Sequence, residues 1–91
     1  MERVTLRITG LVIGVFFRES TTETATNLGL VGYVRNTPEG EVEIVAEGPR
    51  GSLLELREWA QKGPRRARVD SVRETWQTAT REFHEFTIRY R

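Results

Sequence analysis

Three observations predict an α+β fold in which two helices lie on a mostly antiparallel sheet. Apolar residues alternate with polar ones near the start, the middle and the end of the chain, which is the period of strands with one buried face. Two other segments carry apolar residues at helical spacing and stop at a glycine. The 91 residues hold these segments in the order β-α-β-β-α-β, with an extra C-terminal strand.

The elements follow in order. Val4, Leu6 and Ile8 alternate with Thr5, Arg7 and Thr9 to give the first strand, which Gly10 ends. A helix is expected from about Arg18 or Glu19 to Leu28, closed by Gly29, with Thr21, Ala25 and Leu28 on one face. The β-branched Thr21, Thr22, Thr24 and Thr26 are poor helix formers, so flanks and pattern carry this assignment. Val31–Thr37 reads as the second strand, and Thr37-Pro38-Glu39-Gly40 as a type I turn. Glu41–Glu47 is the third strand, with Val42, Ile44 and Ala46 inward and Glu41, Glu43 and Glu47 outward. Ser52 can cap a helix running to about Lys62, with Leu53, Leu56 and Ala60 on one face and Trp59 beside them. Gly63-Pro64 stops it.

Val69 and Val72 fit neither a clean strand nor one helical face. The expectation is that Val69 anchors a loop and that a strand runs from about Val72 to Gln77. Phe86, Ile88 and Tyr90 alternate again as the final strand. Two helices with a sheet of this order predict a two-layer α/β sandwich of ferredoxin-like type, a single domain over residues 1–91.

Composition narrows the function. A hydrophobic fraction of 37% and a charged fraction of 30% fit a soluble globular chain. The longest apolar run, Leu11–Ile13 resuming as Val15–Phe17, is too short to cross a bilayer. There is no cysteine and one histidine, His84, so thiolate chemistry and Cys- or His-rich metal sites are excluded; neither metal nor cofactor is expected. A net charge of +1 gives no global field for nucleic acid or an anionic membrane. A cytoplasmic monomer is the expectation. Of 14 basic residues only Lys62 is lysine, which reflects either demand for planar anion-binding groups or a skewed base composition in the genome.

Chemistry concentrates in Gly10-Leu11-Val12-Ile13-Gly14-Val15-Phe16-Phe17-Arg18. Two glycines relax the backbone so that successive amides can turn toward one point. The following helix N-terminus adds free N–H groups and partial positive charge. Arg18 adds a planar fork for two phosphate oxygens. The pattern describes a cradle for a phosphate-sized anion. It describes equally a hydrophobic strand-to-helix turn whose arginine pairs with a carboxylate. It lacks the Gly-Lys-Ser/Thr ending of a nucleotide-binding P-loop.

A second segment, Gly32-Tyr33-Val34-Arg35-Asn36-Thr37-Pro38-Glu39-Gly40, follows at the distance of one helix and one strand. With it the sequence resembles the acylphosphatase family. The family's first motif is met by Gly10, Val12, Gly14, Val15, Phe17 and Arg18. Its second is met by Gly32, Tyr33, Val34, Asn36, Glu39, Gly40 and Val42. Gly48 and the terminal Phe86-Thr87-Ile88-Arg89-Tyr90 also look like the family. Ile13 stands where glutamine is usual, Glu39 replaces the commoner aspartate, and Arg91 runs one residue past a tyrosine that often ends such chains.

The resemblance implies metal-free hydrolysis of acyl phosphates, a small-molecule substrate, and inorganic phosphate as product and inhibitor. It implies that Arg18 binds the phosphate, that Asn36 positions the attacking water, and that the backbone amides of Ile13, Gly14, Val15, Phe16 and Phe17 complete the anion site. These residues suit the reaction. A carboxylate leaves without being protonated, so no general acid is required. Phosphoryl transfer is governed by positioning and electrostatic stabilisation.

Two other readings remain. One is a non-catalytic, regulatory or binding domain of the same family. The other is an RNA-binding module, which shares the element order and stacks bases on exposed strand aromatics. The third strand instead offers Glu41, Glu43, Val45 and Glu47, and the first Thr5, Arg7 and Thr9. Arg65-Arg66-Ala67-Arg68 reads as a solvated turn or an anion contact, His84 as a surface residue, and Trp59 and Trp76 as packing residues.

Overall fold

The computed structural model describes residues 1–90. Its elements are β1 (Glu2–Leu11), α1 (Phe17–Asn27), β2 (Val31–Asn36), β3 (Val42–Gly48), α2 (Arg50–Ala60), β4 (Arg68–Thr78) and β5 (Phe86–Arg89). The strands form one sheet in the order β4-β1-β3-β2-β5. Every neighbouring pair is antiparallel except β2 and β5, which run parallel. Both helices pack on one face, and the two-layer ferredoxin-like sandwich stands as expected.

Alternation on β1 sends Val4, Leu6 and Ile8 into the core, where they meet Val34, Val42, Ile44, Leu53, Leu56 and Ala25. Each fully buried Val, Leu or Ile contributes roughly 1.5–3 kcal/mol, which makes this layer the main source of stability. α1 is held despite its composition by the packing of its buried face, Phe17, Thr21 and Ala25, while two of its threonines satisfy their hydroxyls on carbonyls of the helix itself. Thr21 donates to the Phe17 carbonyl at 2.8 Å and Thr22 to that of Arg18 at 2.9 Å.

Four expectations change. α1 starts at Phe17, one residue early, because Phe16 takes a left-handed backbone (φ 63, ψ 29) and redirects the chain into the helix. α2 starts at Arg50 with Pro49 as its N-cap, so Ser52 lies inside the first turn and caps nothing. The Pro49 carbonyl accepts the first helical bond, from Leu53 N–H at 3.1 Å. Val69 does not anchor a loop: β4 begins at Arg68 and pairs with β1 over its whole length. A bulge between Thr9 and Gly10 leaves Asp70 unmatched, since Thr9 faces Ser71 and Gly10 faces Val69. That extra residue returns Val69 and Val72 to the same half-buried face. Gly10 (φ 128) is required there, because a Cβ would run into the Arg68 carbonyl oxygen.

The fourth change concerns β3. Its outward residues are not exposed: Glu43 is 8% and Glu47 2% accessible. Arg7 and Arg35 lie directly across the ladder from Glu43 and bond it at 2.9 and 2.7 Å. Arg3, opposite Glu47, bonds it at 2.8 Å, and the N–H groups of Thr80 and Arg81 close over it at 2.8 and 2.9 Å. The helix-free face is thus sealed by arginines and by the segment before β5. Burial works to raise the Glu47 carboxyl, yet the Thr80 N–H, Arg3 guanidinium, Arg81 N–H and Thr80 hydroxyl outweigh it and hold it at about 2.

Candidate active site

β1 ends at Leu11 and α1 begins at Phe17, leaving Val12–Phe16 to turn the chain. Val12 and Val15 pin this loop to the core, at 1% and 8% exposure. Gly14 (φ 77) and Phe16 (φ 63) both take left-handed backbone between those anchors. Alternating left- and right-handed residues aim successive N–H groups to one side. Among the described residues, no backbone N–H from Ile13 to Glu19 donates to another backbone group. They belong to the loop and to the first turn of α1, whose N-cap Phe16 offers no side-chain acceptor.

β2 brings the second half. Asn36 is its last residue, paired with Val42. The turn beyond is locked by the Thr37 N–H on the Glu41 carbonyl at 2.8 Å and the Glu41 N–H on the Thr37 hydroxyl at 3.1 Å. The Asn36 side chain therefore projects from a fixed corner of the sheet. Val12, Gly14, Phe16, Phe17, Arg18, Glu19 and Asn36 line one cavity of ≈ 270 Å³.

Of the residues singled out in the sequence, Arg18, Asn36, Gly14, Phe16 and Phe17 meet at this cavity. Ile13 and Val15 do not line it: the first is 41% exposed and the second is turned into the core. Arg18 has no carboxylate partner among the described residues. Its guanidinium lies 5.0 Å from the centre of the Tyr90 ring. The relation of Arg91 to Arg18 falls outside the described residues.

Glu19 and Tyr90 were missed as site neighbours. Glu19 had a local signal, standing next to Arg18 in the first turn of the helix. Tyr90 had none, because its position depends on β5 docking parallel to β2. The carboxyl groups with the strongest partners, Glu43 and Glu47, serve the far side of the sheet and do not line the cavity. Lys62, Arg65 and Arg66 form an exposed turn, and His84 is exposed beside β5. Among the described residues no three His, Asp or Glu side chains gather as metal ligands. Among the described residues no helix is long and apolar enough to cross a membrane.

The acylphosphatase family model matches residues 4–88. An acylphosphatase of Marinobacter nauticus is 49% identical over 86 residues, covering 94% of each chain. One of Pyrobaculum arsenaticum is 48% identical over 89 residues, covering 97% of this chain and 94% of that one. The crystal structure of the Bacillus subtilis acylphosphatase superposes with a TM-score of 0.95 at 32% identity, covering 99% of this chain and 100% of that one. The chain belongs to the acylphosphatase family and is an enzyme that hydrolyses acyl phosphates.

Proposed function

We propose that the cavity between α1 and the end of β2 is the catalytic site, with Arg18 and the loop amides as the phosphate cradle and Asn36 as the holder of water. One observation carries this reading: Arg18, Asn36 and the start of α1 share one cavity, beside amides that have no backbone partner. Inorganic phosphate, the product, binds the same cradle and inhibits competitively.

The substrate's phosphoryl oxygens accept from the Arg18 fork and from N–H groups of the Ile13–Phe17 loop, chiefly those of Gly14, Phe16 and Phe17, which line the cavity. Charge spread over those oxygens in a loose transition state is stabilised by donors already in place. Asn36 is a neutral amide and cannot be a strong base, but its oxygen and N–H₂ group can hold a water in line. The water oxygen bonds to phosphorus as the bond from phosphorus to the bridging oxygen breaks. The electron pair leaves with the carboxylate, and both water protons end on phosphate oxygens. An acyl phosphate dianion and water thus give a carboxylate and dihydrogen phosphate. No metal, cofactor or covalent intermediate takes part.

The protein is further read as a cytoplasmic monomer acting on a small molecule, with no nucleic-acid or membrane partner. The sealed outer face of β3 favours this over RNA binding, because Val45, one of the positions where a base would stack, is only 4% exposed. The reading is tested by phosphate release from several acyl phosphates, with a phosphate monoester and ATP as controls, before and after exhaustive dialysis against EDTA. Rapid, chelator-insensitive release from the acyl phosphates alone is expected. Loss of activity restored by magnesium or zinc would refute the metal-free mechanism.

A further inference from the structure

A phosphoryl group fills only part of a cavity of ≈ 270 Å³, so the remainder faces the acyl group. Apart from Arg18, Asn36 and Gly14, its lining consists of Val12, Phe16, Phe17 and Glu19. Phe16 and Phe17 are neighbours with opposite fates. Phe17 is 2% exposed and stacks edge-on against Trp59, whereas Phe16 is 65% exposed. A phenylalanine at φ 63 is conformationally costly, and here the side chain obtains no core burial in exchange. Phe16 is thus a bare aromatic residue among those that line the cavity, where an apolar ligand would cover it. Glu19 lines the same cavity and forms no ion pair among the described residues, so a second negative charge on the substrate meets repulsion.

We propose that Phe16 is a specificity-determining residue that reads the acyl side of the substrate. The site takes acyl phosphates whose acyl group is uncharged and apolar, aromatic ones best, ahead of small or anionic ones. This rests on phosphate occupying the cradle as described under Proposed function.

The test compares benzoyl, acetyl and succinyl phosphate as substrates of the wild type and of Phe16→Asn, since asparagine tolerates left-handed backbone. Binding of phenacylphosphonate and acetonylphosphonate is measured in parallel. These carry a methylene in place of the bridging oxygen and cannot be hydrolysed. The wild type should favour benzoyl over acetyl phosphate by at least about tenfold in kcat/KM, the scale of a well-formed apolar contact. Succinyl phosphate should be the poorest substrate. In Phe16→Asn the benzoyl-to-acetyl ratio should fall severalfold, and the ratio of phosphonate affinities should fall with it. Ratios that do not move between the two proteins, or succinyl phosphate turned over as well as benzoyl, would overturn the proposal. Failure of the cradle itself looks different: Arg18→Ala would then bind both phosphonates as well as the wild type does, while the affinity ratio would still report on Phe16.

Discussion

In the proposed mechanism Arg18 and Asn36 divide the labour between charge and placement, and single substitutions separate the two. Arg18 lines the cavity and has no carboxylate partner among the described residues, which suits its proposed role toward phosphate oxygens. Arg18→Ala should lower kcat/KM by at least about a hundredfold, the scale of removing one anion-stabilising donor. Arg18→Lys should remain poor, since a point charge cannot reproduce two parallel N–H bonds. Steady-state kinetics with one acyl phosphate check both, and near-wild-type activity in the alanine variant would remove Arg18 from the mechanism. Asn36→Ala should lose turnover yet bind inorganic phosphate with similar affinity, because a residue that only places water contributes little to ground-state binding. Calorimetric titration of wild type and variant with phosphate tests that. That these two side chains share one cavity was legible in the sequence because each sits in a motif with fixed spacing. The bare ring of Phe16 was not, since nothing but glycine announces a left-handed backbone from composition alone.

At the level of elements, β3 shows how far local pattern reaches. Its alternation of valine, isoleucine and glutamate correctly assigned faces, but a face does not declare what covers it. The covering of Glu47 comes from Arg3 on β1 and from Thr80 and Arg81, far along the chain. Val69 and Val72 were unreadable for a related reason. Their odd spacing is absorbed by a bulge that exists only where β4 meets Thr9 and Gly10. The buried carboxylate gives a pH signature. Its folded value of about 2 lies below the usual 4.5, so the ionised form adds stability above pH 4.5. That contribution, on the order of 3 kcal/mol, drains away as pH falls from 4.5 toward 2. Glu47→Gln should therefore be less stable at neutral pH and show a shallower loss of stability through that acid window. Urea unfolding at several pH values measures both, and parallel acid limbs in the two proteins would contradict the assignment. Gly10→Ala should also destabilise, by at least about 1–3 kcal/mol, because the added methyl meets the Arg68 carbonyl at a strained φ of 128.

For the molecule as a whole, the proposed cradle links ligand to fold, because only the folded chain can form it. Phosphate at about a hundred times its Kd should add roughly 2.7 kcal/mol to stability. In a domain this small the melting temperature should rise by about 10 °C or more. Sulfate should act more weakly and chloride at matched ionic strength hardly at all. Arg18→Ala should abolish the phosphate effect, which distinguishes site binding from general salt action. Equal shifts with phosphate and chloride would mean that no specific anion site exists. The overall architecture was legible because element order and two motifs constrain it together. The parallel docking of β5 was not, since a four-residue strand carries no sign of which edge it joins. That docking sets a schedule for the protein's birth. As the chain leaves the ribosome, Arg18 and Asn36 emerge early, but β2 keeps an open edge until Phe86–Arg89 arrives to pair with it. A nascent chain thus holds every proposed catalytic side chain before the strand that fixes their frame, and activity should ripen only after Phe86–Arg89 has been synthesised and has docked.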